Sequence, residues 1–256
     1  MTDVVLLEVS NRIATVTLNR PAARNALSTE VLRLLPSLMR EADRRDDVDV
    51  VILTGADPAF CAGLDLKELG SSGSNLGSGG GSNAGGAHGP FPSMTKPVIG
   101  AINGVAVTGG FELALNCDIL VASERAKFGD THARVGVMPG WGLTVLLPQA
   151  IGVRRAREMS FTGNFLSAEQ ALRCGLVNHV VAHDELMPTA RRLASDIIGN
   201  DQAGVRQIRR TYAAITADQQ GWDIEARDGG EWARSMFSPD KVAERRDAIL
   251  SRGRDQ

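Results

Sequence analysis

Three separated stretches hold residue types that could bind a charged or polarised group. In Phe60-Cys61-Ala62-Gly63-Leu64-Asp65-Leu66, the small residues Ala62 and Gly63 permit a tight turn at a helix start. A helix N-terminus presents free N–H groups and a positive dipole end, so such a turn can hold an anion or serve as an ordinary capped turn. In the second stretch, Asn103 to Asp118, the pair Gly109-Gly110 opens a helix and offers more N–H donors, with no Cβ to block close approach. Glu112 falls in the first turn of that helix, in an apolar setting. Alone, it reads as a carboxylate paired with the helix dipole. The third stretch, Phe128 to Gly142, carries Asp130, His132 and Arg134 before the turn Met138-Pro139-Gly140 and Trp141.

The elements that must hold these stretches follow from periodicity. Val4–Val9 and Ile13–Leu18 alternate around Asn11-Arg12, a β-hairpin signal. Ser28 caps an amphipathic helix running to about Arg45, with Pro36 expected to kink or break it. Short strands are expected at Val50–Leu53, Pro97–Ile102, Ile119–Ala122 and Val177–Val181. Helices are expected after Gly109 and from about Trp141 to Ala150, with two more between Val153 and Cys174, the second capped by Ser167. After Asp184 the chain reads as helical, broken near Gly199 and at Phe237-Ser238-Pro239. Repeated strand–strand–helix units before a helical tail indicate the α/β class. Gly70–Gly89 is dominated by Gly and Ser. It is expected to be a mobile loop beside a binding site, because it cannot bury enough apolar surface to offset its ordering entropy.

Bulk properties exclude several classes. A net charge of −2 and an aromatic content of 4% give neither the basic field nor the stacking surface of a nucleic-acid binder. No apolar run reaches membrane-spanning length, and the acidic opening MTDVVLLEVSNR is not a secretory signal. Cys61, Cys117 and Cys174 are scattered without a CxxC pair, so reduced thiols and a cytoplasmic location are expected. The four histidines form no metal-ligand pattern; His179 and His183 are separated by a strand-to-helix junction.

Taken together and in order, FCAGLDL, KPVIGAINGVAVTGGFELALNCD and the FG…VG…PG…G segment resemble the crotonase (enoyl-CoA hydratase/isomerase) superfamily over roughly residues 4–190. The resemblance implies a backbone oxyanion hole for an acyl-CoA carbonyl, formed by the N–H groups of Ala62 and Gly109. Gly63 and Gly110 keep the two turns open. It implies CoA contacts along Cys61, Ala62, Gly63, Leu64, Asp65, Leu66 and Lys67; Lys67 either meets a CoA phosphate or is an ordinary exposed lysine. Glu112 matches the first of two glutamates that hold a water in family hydratases. At the second position stands His132, which either joins Glu112 as an acid/base partner or only fills space. Asp130 would share a face with His132 in an extended segment and fix its tautomer. Gly140 is implied to hold the water by its N–H. Trp141 replaces a small residue and either reshapes the acyl pocket or packs in the core. Arg134 either meets a polar acyl group or faces outward.

The expected architecture is a crotonase-type spiral of ββα units over residues 1–195. A helical region over 196–256 is expected to mediate a homotrimer or a dimer of trimers. The expected reaction is hydration of a 2-enoyl-CoA, a lyase activity. Isomerisation, decarboxylation or thioester hydrolysis of an acyl-CoA, or acyl-CoA binding without turnover, stand as alternatives. No metal and no separate cofactor are expected, since coenzyme A belongs to the substrate.

Overall fold

The computed structural model describes residues 3–77 and 89–254. The hairpin forms as β1 (Val5–Ser10) and β2 (Ile13–Leu18), antiparallel, with Asn11 and Arg12 both at positive φ in its two-residue turn. Ser28 caps α1 (Thr29–Arg44), its side chain accepting from Val31 N–H. Pro36 does not interrupt α1. Val31, Leu35, Met39 and Ala42 repeat at helical spacing on both sides of it, and their burial holds the helix in place.

The chain continues through β3 (Val50–Gly55), β4 (Ala59–Cys61), α2 (Leu66–Ser71) and α3 (Ser74–Gly77). Then come β5 (Val98–Ile102), β6 (Val105–Val107), α4 (Gly109–Leu115), β7 (Ile119–Ser123), β8 (Lys127–Gly129) and α5 (His132–Val135). Next are α6 (Leu143–Ile151), α7 (Val153–Thr162), β9 (Phe165–Ser167), α8 (Ala168–Arg173) and β10 (His179–Val181). The tail is α9 (Leu186–Ile198), α10 (Gln202–Thr216), α11 (Gln219–Ser235) and α12 (Pro239–Arg254).

Two sheets result, ordered β1-β2-β3-β5-β7-β10 and β4-β6-β8-β9. Each of the pairs β3/β4, β5/β6 and β7/β8 gives its first strand to the large sheet and its second to the small one. In both sheets these strands are parallel and follow chain order. That repeated step is the spiral of ββα turns expected from the sequence. α9 lays Leu186, Ala190 and Ala194 against Ile52, Ile99 and Val121 of the large sheet.

Part of the expected mobile loop is ordered helix. Gly70 and Ser71 end α2, and residues 74–77 form α3. Asn75 is buried there, donating to Leu27 O (3.3 Å) and Asp65 O (3.0 Å), so two backbone carbonyls hold this polar stretch where apolar burial does not. The remainder of that stretch, residues 78–88, lies outside the described residues.

Each chemically interesting stretch is anchored by a buried phenylalanine: Phe60, Phe111 and Phe128 are all fully inaccessible. The Phe111 and Phe128 rings meet at 5.8 Å between centroids, tilted by 55°. Each such side chain contributes roughly 1.5–3 kcal/mol by burial. These anchors sit one residue before Cys61, one before Glu112 and two before Asp130, which fixes the three stretches around one point.

Candidate active site

Leu64, Gly109, Glu112, His132, Gly140 and Trp141 line one small cavity of about 60 Å³, together with Asn75, Leu76, Val137 and Met138. A second cavity of about 130 Å³ shares Leu64 and Val137 with it and is otherwise lined by residues including Arg24, Ala62, Leu66, Thr108, Arg134 and Phe165.

The two bends meet because glycine lets them. Gly63 adopts φ +81°, and a Cβ there would stand 2.9 Å from Val107 O. At Gly110 a Cβ would stand 2.3 Å from Cys61 O, so only glycine lets α4 start directly against β4. Before α4, Thr108 holds φ +54° and ψ −121°, an uncommon conformation for a β-branched residue. Its N–H donates to Gly129 O, and its Oγ1 lies 2.5 Å from Thr131 Oγ1. Gly109, one residue on, opens the helix, where its N–H has no intrahelical acceptor.

The donor at the first bend is not the one the sequence suggested. Ala62 N–H is already engaged, donating to Arg24 O at 3.0 Å, and Ala62 lines the second cavity rather than the one with Glu112. Leu64, two residues later, forms a parallel bridge with Leu27. The bridge uses Gly63 O and Asp65 N–H, both bonded to Leu27, and leaves Leu64's own N–H directed the other way. Among the described residues the N–H groups of Leu64 and Gly109 have no protein acceptor, and both residues line the cavity with Glu112.

Glu112 is 3% exposed and is held by two backbone donors, Gly140 N–H (3.2 Å) and Trp141 N–H (2.8 Å), both to Oε1. Gly140 therefore fixes the carboxylate; its hydrogen is not free to hold a water. The other oxygen, Oε2, lies 3.4 Å from His132 Nε2. His132 Nδ1 lies 2.7 Å from Asp130 Oδ1, and His132 N–H donates to the same oxygen (3.1 Å). The segment is not extended as expected. Thr131 turns the chain and His132 opens the one-turn helix α5, so Asp130 reaches the imidazole by folding back on the helix start.

This arrangement sets the charges. Burial opposes a cation at His132, but the carboxylates of Glu112 and Asp130 outweigh it and push its pKa up to about 10. Asp130 is also buried, yet its hydrogen bond to the imidazole and the imidazolium charge hold its carboxyl below the usual range. Glu112 and Asp130 together thus favour the imidazolium form of His132.

The remaining expectations divide clearly. Trp141 is buried, and its Cζ3 would lie 3.2 Å from a Cβ at Gly109, so the ring both packs in the core and walls the cavity. Arg134 sits with its guanidinium 5.8 Å from the Phe165 ring centroid, beside the second cavity and away from Glu112. Cys61 is fully buried, its thiol pushed up to about 12 by burial, and it lines neither cavity. Asp65 caps α2 through Lys67 N–H and pairs with Arg20 at 3.0 Å. Lys67 is exposed, as is Arg24 at the second cavity.

Sequence reasoning missed Leu64 as the free donor and Arg24 as a cation beside the second cavity. It also missed Glu225, a buried carboxylate of α11 that accepts from Gly142 and Thr144 N–H. Arg24 alone gave a local signal, a basic residue in the segment preceding the Ser28 cap.

A family model described as Enoyl-CoA hydratase/isomerase matches residues 8–245. The chain is 44% identical over 207 residues to a probable peroxisomal enoyl-CoA hydratase 1 of Arabidopsis thaliana, covering 78% of this chain and 74% of that one. It is 38% identical over 203 residues to a short-chain-enoyl-CoA hydratase of Clostridium acetobutylicum, covering 79% and 78%. A crystal structure of enoyl-CoA hydratase from Mycobacterium smegmatis superposes with a TM-score of 0.82 at 54% identity, covering 92% of this chain and all of the other.

Proposed function

The chain belongs to the enoyl-CoA hydratase/isomerase family, and from that premise we propose that it adds water across the double bond of a 2-enoyl-CoA thioester. The observation carrying this reading is the buried Glu112–His132 pair in the cavity that Leu64 and Gly109 also line, residues whose N–H groups have no acceptor among the described residues.

The thioester carbonyl accepts from Leu64 N–H and Gly109 N–H, which lower the energy of the enolate oxyanion formed when water attacks. One such donor is worth ~2.7–4 kcal/mol in a preorganised site. Glu112, aimed by Gly140 and Trp141 N–H, removes a proton from the water as its oxygen bonds to the β carbon. The imidazolium of His132 gives its Nε2 proton to the α carbon, and the enolate collapses to the 3-hydroxyacyl thioester. Glu112 then holds a proton and His132 lacks one. Transfer from Oε2 to Nε2 across 3.4 Å restores the starting state. Asp130 keeps Nδ1 protonated throughout, so the proton that moves is always the one on Nε2.

The CoA moiety follows the second cavity past Ala62, Leu64 and Leu66, with Arg24 and Lys67 as the exposed cations available to its phosphates. Ile208, Tyr212 and Ile215 form an exposed apolar stripe on α10, which supports assembly as a homotrimer or a dimer of trimers. The free cysteines support a cytoplasmic location.

The test is direct. Purified protein mixed with crotonyl-CoA is expected to remove the enoyl absorbance and form 3-hydroxybutyryl-CoA, and Glu112→Gln to lower that rate ~10²–10⁴-fold. Tight binding of crotonyl-CoA without loss of the chromophore would overturn the reading in favour of a non-catalytic binder. Turnover confined to 3-enoyl esters would overturn it in favour of an isomerase.

A further inference from the structure

A buried carboxylate that this chemistry does not use stands behind the turn holding Glu112. Glu225 is 6% exposed and is the one buried residue of α11. It accepts from Gly142 N–H at 2.6 Å, from Thr144 N–H at 2.8 Å and from the Thr144 hydroxyl. Gly142 occupies the N-cap position of α6, where a Ser, Thr or Asp would ordinarily supply the capping oxygen from its own side chain. Here that position is glycine at φ +93°, and a Cβ on it would stand 2.0 Å from the Trp222 ring of α11. The helix start has therefore given up its own cap, and α11 both covers it and caps it from 83 residues away.

The same turn holds Glu112. Gly140 and Trp141 N–H donate to Glu112 Oε1, and Gly142 and Thr144 N–H donate to Glu225. One short segment is thus fixed between two carboxylates, one in the cavity and one on the helical tail. The turn places two N–H groups on Glu112 and, within the next three residues, two more on Glu225.

We propose that Glu225 is a positioning residue for Glu112: through the turn Gly140–Thr144 it fixes the two backbone donors that aim the water-activating carboxylate, and so makes α11 part of the working site. The inference rests on Glu112 acting as the base. A merely structural cap would affect stability alone, whereas a positioning residue affects the chemical step, where misplacement of a reacting group by about 1 Å costs on the order of 10²-fold.

Glu225→Gln keeps the side chain's volume but turns one acceptor into a donor facing N–H groups. In the intact protein it is expected to lower kcat about 10- to 100-fold and to leave KM for crotonyl-CoA essentially unchanged. Thr144→Val, which removes only the hydroxyl contact and changes no charge, is expected to lower kcat in the same direction by less. A second readout needs no turnover: the titration of His132 by NMR, its signal assigned by comparison with His132→Gln. Displacement of Glu112 from Nε2 is expected to lower the His132 midpoint in both variants. Unchanged kcat and unchanged midpoint in folded Glu225→Gln would overturn the inference, as would a loss carried entirely by KM. Should Glu225→Gln fail to fold, Thr144→Val carries both measurements, and wild-type values there overturn it. Should the wild type leave crotonyl-CoA untouched, the reaction reading fails, and the His132 midpoint in Thr144→Val, which changes no charge, decides whether the Glu225 cap sets the position of Glu112.

Discussion

His132 Nε2 stands 3.4 Å from Glu112 Oε2, with side chains only 7% and 3% exposed. At an effective dielectric of ~20, a pair at about this distance attracts by about 5 kcal/mol. Removing each ion from water costs several kcal/mol, so one carboxylate alone would barely sustain the imidazolium. Asp130 supplies the second, at 2.7 Å from Nδ1.

That balance fixes a pH dependence. With its pKa raised to about 10, His132 is a cation at neutral pH. As the donor to the α carbon, it should sustain kcat from neutrality upward and lose it as pH rises through about 10. The stability it contributes is full below the ordinary imidazole value of ~6.5 and is lost as pH rises through the folded value of about 10. A kcat–pH profile beside thermal unfolding at each pH checks both. His132→Gln is expected to lower kcat ~10²–10⁴-fold and to abolish the alkaline limb. A wild-type limb centred near ~6.5 would show that the two carboxylates do not hold His132 as a cation, and a limb that persists in His132→Gln would remove His132 as the acid.

Asp130→Asn keeps an oxygen near Nδ1 but removes the charge. Burial, the largest influence on His132, then meets opposition mainly from Glu112, so the imidazole pKa must fall. The alkaline limb of kcat is expected to move to lower pH, and the NMR midpoint of His132 to move with it. A limb that stays at the wild-type position would show that Asp130 does not sustain the cation.

Gly110→Ala tests the contact between the two bends. Its Cβ would stand 2.3 Å from Cys61 O and 2.7 Å from Cys61 Cβ, atoms fixed in β4, so α4 must shift away. Overpacking of this kind costs ~1–3 kcal/mol, and each 1 kcal/mol lowers the unfolding midpoint of a domain this large by roughly 2–4 °C. Because α4 carries both Gly109 and Glu112, kcat is expected to fall further than stability alone explains. Calorimetry and steady-state rates on the same preparation separate the two, and unchanged kcat in a destabilised protein would show that the bends tolerate separation.

Much of this site was readable because local signals and tertiary demands agree. The glycine pair before Glu112, the Ser28 cap and the capping box at Ser167 are short-range patterns, and each forms as its residues require. The choice between Ala62 and Leu64 is different. Peptide N–H groups along an irregular segment face alternate directions, and which one is free depends on Arg24 O and Leu27, distant in sequence. The helical start of the Gly/Ser-rich stretch was hidden for a similar reason: Asn75 is held by carbonyls of Leu27 and Asp65, a tertiary contact with no compositional mark. Glu225 could not be singled out among the acidic residues of the tail, because its value comes from facing two N–H groups 81 and 83 residues earlier.

Trp141 is expected to limit the length of acyl chain the site accepts. Its ring lies over Gly109 and walls a cavity of about 60 Å³, so a longer chain is expected to meet the indole. The N–H that Trp141 gives to Glu112 is backbone and survives any replacement except proline. Trp141→Ala is therefore expected to keep the base aimed while opening the wall. Relative kcat/KM should shift from crotonyl-CoA toward decenoyl-CoA, and Trp141→Phe should fall between. The variant loses core packing worth ~3–5 kcal/mol, so the comparison is made well below its unfolding temperature and as a ratio between substrates, which cancels any fraction of unfolded protein. An unchanged ratio would mean that longer chains leave the cavity past Leu76 and Met138, without meeting the indole at all.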